Sequence, residues 1–290
     1  MAKVELYEVG PRDGFQNLKD IVPTETKLDL IDRMVGTGIR HLQCTSFVSP
    51  KAMTEVVLKK YPDLDLFALI PNLYGAKAAL AAGIKSVDMV ISLSESHNKA
   101  NINRTHEQSF AELRNVLDNC PELKLTVDIA TAFGCPFEGI PTVSSLVDLI
   151  GKVRDYGIRN FTLGDTIGVA NPAQVRETVK VLTAAYPDCT FRPHFHDTRN
   201  NGIVNSITAI ECGITEVETT LGGLGGCPFA PGASGNTATE DLVWLLDRMG
   251  YETGVDFEKA LAAAQYEHSM LVGNYSGHQI NITKRSVCCG

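Results

Sequence analysis

The stretch TVSSLVDLIGKVRDYGIRNFTLGDTIGVANPAQVRETVKVLTAAYPDCTFRPHFHD, residues 142–197, decides the architecture of the chain. Leu146, Leu149, Ile150 and Val153 recur at three- and four-residue spacing, which predicts an amphipathic helix closed by Gly157. NFTLGD (160–165) then reads as a short strand, AQVRETVKVLTAAY (173–186) as a second helix and TFRPHFHD (190–197) as a second strand. Strands joined through a crossover helix pair in parallel, so this stretch is the repeating unit of an α/β fold.

The same unit recurs on both sides. Strand-like runs stand at VELYEV (4–9), IRHLQCTSF (39–47), LDLFALI (64–70), SVDMVISL (86–93), LKLTVDIAT (123–131) and TEVETTLG (215–222). Between them lie ETKLDLIDRMVGTG (25–38), LYGAKAALAAGI (73–84), HEQSFAELRNVLDNC (106–120) and VNSITAIECG (204–213), each with helical apolar spacing. Eight strand-then-helix units in about 250 residues is the arithmetic of a (β/α)8 TIM barrel. A doubly wound sheet is disfavoured, since neither GxGxxG nor GxxxxGK[ST] occurs. TEDLVWLLDRMG (239–250) completes the barrel and DFEKALAAAQYEHSML (256–271) forms an extra C-terminal helix. The expectation is one α/β domain over 1–290, with the barrel at about 3–250 and a C-terminal helix and tail at 251–290.

Composition narrows the function. At 44% hydrophobic and 21% charged over 290 residues, the chain has the balance of a folded globular protein. Its 26 basic and 34 acidic residues give a net charge of −8, so no general positive field exists to hold nucleic acid or an anionic membrane. The N-terminus lacks a signal peptide's apolar core and no window reaches the length of a membrane span, so a cytoplasmic protein is expected. The eight cysteines are scattered without CxxC pairs, which suggests buried thiols, with Cys288 and Cys289 an incidental pair in a polar tail.

In such a barrel the chemistry sits at the C-terminal ends of the strands. The polar residues fall there: EVGPRDGFQN (8–17), QCTSFVSP (43–50), SLSES (92–96), LGDTIG (163–168), HFHD (194–197) and LGGLGGCPFAPGASGN (221–236). His194 and His196 alternate on one strand and so face the same side. Asp13, from a strand only one removed across the closed barrel, can meet them on a divalent ion, with Asn236 adding an amide oxygen. A mixed nitrogen and oxygen set suits Mg2+ or Mn2+. Arg12 offers a permanent cation for an enolate or thioester oxygen. Cys227, on a glycine-rich loop over the mouth, is placed to be a proton donor or nucleophile. Glu8 and Asp165 are strand-end acids that serve either as general base or as holders of metal-bound water and histidine. No lysine near a strand's C-terminal end supports a Schiff-base aldolase.

EVGPRDGFQN, TSFVSPK (45–51), GCPFEG (134–139), LGDTIGVANP (163–172), HFHDT (194–198) and GLGGCPFAPGASGN (223–236) with TATEDLV (237–243) resemble, in the same order, segments of the 3-hydroxy-3-methylglutaryl-CoA lyase family. The resemblance implies cleavage of a tertiary 3-hydroxyacyl-CoA into an acetyl-CoA enolate and a keto acid. It assigns the metal to Asp13, His194, His196 and Asn236, enolate stabilisation to Arg12 and proton handling at the acetyl carbon to Cys227. It puts an acid near the site at Asp165 and supporting roles at Glu8, Gln16 and Lys19. An acyl-CoA substrate and a homodimer follow from the same resemblance. Three positions depart from the family pattern: Gln43 stands where the family has glutamate, Arg199 follows the metal strand in HFHDTRNN (194–201), and His97 ends SLSESH (92–97). Gln43 and Arg199, as candidate substrate contacts, open the alternative of a sibling lyase for another branched or carboxylated 3-hydroxyacyl-CoA. A third possibility, from another class, is a metal-binding barrel without catalysis.

Overall fold

The computed structural model describes residues 2–16, 18–47, 52–226 and 235–282. Eight strands close a parallel barrel: β1 (Glu5–Glu8), β2 (His41–Ser46), β3 (Asp65–Leu69), β4 (Ser86–Ser92), β5 (Lys124–Ala130), β6 (Asn160–Asp165), β7 (Thr190–Phe195) and β8 (Glu216–Thr219). Each pairs with the next, and β8 returns to β1 with Glu5 opposite Glu216 and Glu8 opposite Thr219. All eight lie inside the runs read from the sequence.

The surrounding helices are α1 (Thr24–Gly36), α2 (Ala52–Lys60), α3 (Leu73–Ala81), α4 (Glu95–Ile102), α5 (His106–Asn119), α6 (Val143–Arg154), α7 (Pro172–Ala185), α8 (Gly202–Glu211), α9 (Thr239–Arg248) and α10 (Phe257–Met270). Two of them, α2 and α4, fall outside the segments that periodicity marked. The reason is clear for α4: it buries His97 and Asn98 rather than an apolar stripe, and starts on a Ser94 side chain that accepts from the His97 backbone N–H. By contrast α5 carries a full capping box between Thr105 and Gln108 on an apolar helix.

Strand alternation sorts the side chains into two layers. Leu125, Val127 and Ile129 of β5, with Phe161 and Leu163 of β6, point outward into the main core beside Leu146, Ile150, Val175 and Val179 of α6 and α7. The alternate positions point into the barrel and are strongly polar. Arg192 of β7 stacks 3.5 Å over the Tyr7 ring and donates to Glu216 and Glu218 of β8. Gln43 of β2 donates from Nε2 to Asp88 Oδ2 of β4 at 2.5 Å.

Beyond α9, Tyr251 and Glu252 pair with Ala2 and Lys3, and α10 packs against α1 and the turn at 221–223. The segment after α10 then folds back over the barrel mouth: Gly225 N–H donates to Asn274 O, Ser276 Oγ to Asn236 O, and Gly277 N–H to Gly222 O. Gly223 has φ +67° and a Cβ there would overlap Ser276 Oγ, so this close crossing requires glycine. Of the described cysteines, Cys44, Cys120 and Cys135 are buried and Cys189 and Cys212 half-buried, all as free thiols. Cys227, Cys288 and Cys289 lie outside the described residues.

Candidate active site

The chain leaves β1 through a single π-helical turn, Gly10–Gly14, begun by Pro11. Arg12 N–H and Asp13 N–H both donate to Val9 O, and the turn carries both side chains to the barrel mouth. Gly235–Thr237 lies beside the end of β7, with Asp197 N–H on Gly235 O and Thr237 N–H on Phe195 O. Asn236 is thereby set opposite His196.

Asp13, His194 and His196 each present a ligand atom, and these atoms all lie within 4.8 Å of one another. Burial opposes charge on all three, and their neighbours divide them. The adjacent Arg12, its NH1 nitrogen 2.6 Å from Asp13 Oδ1, holds Asp13 below the usual carboxylate range. Burial and the neighbouring His194 push His196 down to about 4. His194 goes the other way, to about 8, because Glu218 Oε2 lies 2.9 Å from its Nδ1 and outweighs burial. Glu218 thereby directs Nε2 of His194 to the cluster, and the Thr166 carbonyl does the same for His196 through its Nδ1 at 2.8 Å.

The donor set fits a hard divalent cation. Asn236 Nδ2 donates to Asp13 Oδ2 at 2.9 Å while its Oδ1 is buried with no partner. A buried amide oxygen lacking a donor, beside a carboxylate and two imidazoles, is the acceptor that a cation satisfies.

A cavity of about 160 Å³ opens over this cluster. Arg12, Asp13, Gln16, Gln43, His97, Asp128, Thr162, His194, His196 and Glu218 line it. Of the residues expected from sequence, the structure therefore brings together Arg12, Asp13, Gln16, Gln43, His194 and His196, with Asn236 hydrogen-bonded to Asp13. Arg12 Nε is buried there without a hydrogen-bond partner.

Four candidates stand elsewhere. Glu8 is fully buried outside the cavity lining, accepting from Gly10 N–H, Leu221 N–H and the Thr239 hydroxyl, and burial raises it to about 7. Asp165 accepts from Val169 and Ala170 N–H with its two oxygens and is pushed by burial to about 6. Both therefore hold backbone rather than face the cavity, which favours the supporting role over the general base. Arg199 is exposed and donates to the Ile167 and Gly168 carbonyls, so it braces the β6–α7 loop instead of lining the cavity. Lys19 is exposed beside a separate groove with Leu18, Gly225 and Gly273. Cys227 lies outside the described residues.

Sequence reasoning missed Asp88, Asp128, Arg192 and Glu218, the charged layer inside the barrel. The signal was present: RPHFH continues the alternation of His194 and His196 back to Arg192, and EVE does the same for Glu216 and Glu218.

A closed (β/α)8 barrel with an Asp-His-His cluster in a cavity at its C-terminal mouth defines a barrel enzyme equipped for a divalent cation. The HMGL-like family model matches residues 3–266, and the chain belongs to that family. It is 40% identical over 274 residues to the hydroxymethylglutaryl-CoA lyase YngG of Bacillus subtilis, spanning 91% of this chain and 92% of that protein. It is 38% identical to the human mitochondrial hydroxymethylglutaryl-CoA lyase, over 91% of this chain and 84% of that one. Among solved structures, a Bacillus subtilis HMG-CoA lyase superposes with a TM-score of 0.90 at 38% identity, covering 97% of each chain. An HMG-CoA lyase from Acinetobacter baumannii in complex with coenzyme A and 3-methylmalate gives 0.89 at 37%, covering 98% of this chain and 96% of that one.

Proposed function

We propose that this protein is a metal-dependent carbon–carbon lyase that cleaves 3-hydroxy-3-methylglutaryl-CoA to acetyl-CoA and acetoacetate. The observation that carries the reading is the convergence of Asp13, His194 and His196 with the unpartnered Arg12 guanidinium nitrogen in one cavity. The coenzyme A complex of the Acinetobacter relative supports an acyl-CoA as the substrate class.

The 3-hydroxyl loses its proton, the C2–C3 bond breaks with its electron pair passing to the thioester as an enolate, and the enolate carbon takes up a proton. Asp13, His194, His196 and Asn236 would hold Mg2+ or Mn2+, which supplies the positive charge that acidifies the substrate hydroxyl. Arg12 receives the enolate oxygen: its Nε has no other partner, and its tie to Asp13 fixes the guanidinium before charge develops. Glu218 orients His194. Glu8 fixes the start of the Arg12–Asp13 turn and its junction with Leu221, and Asp165 fixes the loop that ends in Ala170. Cys227 is the group assigned to deliver the proton to the acetyl carbon. Gln16 borders the cavity as a substrate contact. A cytoplasmic homodimer completes the proposal. Among the described residues no helix is long and apolar enough to cross a membrane.

The test is turnover of 3-hydroxy-3-methylglutaryl-CoA by reduced protein loaded with Mn2+ or Mg2+, with acetyl-CoA and acetoacetate both quantified and an EDTA-treated control. Equimolar products that vanish with EDTA are expected. No product from protein that binds Mn2+ would refute the assignment.

A further inference from the structure

Three acids lie inside the barrel around and beneath the metal cluster, and they are not equally served. Glu218 takes the Arg192 guanidinium, the Thr162 hydroxyl and His194. Asp88 takes the Gln43 amide. Asp128 is different: its Oδ1 is buried with no hydrogen-bond partner, and the Thr162 hydroxyl beside it is shared with Glu218. Asp128 is only half-buried, and it lines the same cavity as Arg12, Asp13 and the two histidines.

Register fixes its depth. Asp128 pairs with Thr162, Thr162 with Arg192, and Arg192 stands two residues before His194 on β7. The tilt of the barrel strands carries each register partner one residue lower on the next strand, so Arg192 sits level with Thr126, beside Tyr7 and Phe67, and Asp128 sits level with His194 in the cavity at the mouth. From that level Asp128 faces the C3 centre of an acyl chain seated at Asp13 and His194.

Burial and the charge of Glu218 push Asp128 above the usual carboxylate range. A hydroxyl group serves either form, donating to the carboxylate and accepting from the acid, whereas a methyl group serves neither and leaves a polar group unpaired. Resting on the lyase reading above, we propose that Asp128 is a specificity-determining residue that recognises a hydroxyl on the C3 branch of the acyl group. The enzyme then favours a 3-hydroxy-3-(hydroxymethyl)acyl-CoA over its 3-methyl counterpart.

The experiment compares kcat/KM for 3-hydroxy-3-methylglutaryl-CoA and 3-hydroxy-3-(hydroxymethyl)glutaryl-CoA in Mn2+-loaded wild type, Asp128→Asn and Asp128→Val. The ratio of the two substrates within each protein cancels any general damage, which a merely structural role would inflict on both equally. Wild type is expected to favour the hydroxymethyl substrate by about 10- to 100-fold, the size of a hydrogen bond to a charged group. Asp128→Asn, which keeps a neutral acceptor of the same shape, should retain part of that preference, and Asp128→Val should reverse it. A wild-type ratio at or below one overturns the proposal, as does a ratio that changes by less than about twofold in either variant. A pattern of that kind would show that Asp128 serves a part common to both substrates, such as their distal carboxylate. Cleavage of neither substrate by Mn2+-bound wild type would instead overturn the lyase reading itself.

Discussion

Gln43 and Asp88 face each other across the barrel interior, the amide nitrogen of one 2.5 Å from a carboxylate oxygen of the other. The glutamate usual in this family at that position would set two carboxylates against each other, with Asp128 and Glu218 adding to the field on Asp88. Gln43 is thus matched to its neighbours. Replacing it by glutamate is expected to destabilise the fold by about 1–3 kcal/mol and to lower activity at least tenfold. Adding Asp88→Asn should recover most of both losses. A double-mutant cycle read by urea unfolding and kcat/KM measures this, and a Gln43→Glu protein as stable as wild type would contradict it.

Glu218 joins Arg192 to His194, and the consequence concerns metal affinity. Glu218→Gln removes the carboxylate that orients His194 and leaves the buried Arg192 with Glu216 as its remaining ion-pair partner on β8. Mn2+ affinity should fall by about 10- to 100-fold. Calorimetric titration of Mn2+ into wild type and variant gives the comparison, with unchanged affinity counting against the orienting role.

Arg12→Met should separate binding from chemistry. The guanidinium has its NH1 on Asp13 and its Nε free for the enolate, so its loss should cut kcat by about 10²- to 10³-fold. Mn2+ affinity should change much less. A variant that loses Mn2+ and activity in parallel would assign Arg12 to holding Asp13 instead.

Buried acids at the back of the site make stability depend on pH. Burial raises Glu240 from 4.5 to about 8 and Glu8 to about 7, and Glu267, whose two oxygens lack partners, is raised well above its ordinary value. Each of these groups keeps its proton in the folded state over a range in which the unfolded chain has lost it. The contribution of Glu8 and Glu240 is therefore fully present below about pH 4.5 and is lost as pH rises through 7 to 8. Glu240→Gln should remove one such slope, raising Tm relative to wild type at pH 8 and narrowing that gain towards pH 5. The gain at pH 8 should be on the order of 1–3 kcal/mol. Thermal melts across that range decide it, and a difference independent of pH would dismiss the titration as the cause.

The strands were legible because β-branched runs with helical segments between them admit few other arrangements. His194, His196 and Asp13 were legible because strand alternation and barrel closure bring them together without further information. Arg199 was not: its side chain turns back to two loop carbonyls, a tertiary choice that leaves no trace in the spacing of HFHDTRNN. The interior charges escaped for another reason. Asp88, Asp128, Arg192 and Glu218 sit at inward positions where an apolar filling is the ordinary expectation, and only their partners across the barrel make sense of them. Helix α4 has the same character, folding around buried polar side chains.

The strap after α10 touches the site through Ser276 and Asn236, while Asp13 lies near the other end of the sequence. During synthesis the first ligand emerges more than two hundred residues before the last, and the strap later still. A nascent chain therefore lacks Asn236, and with it the partner that Asp13 meets across the site, until most of its described length is out.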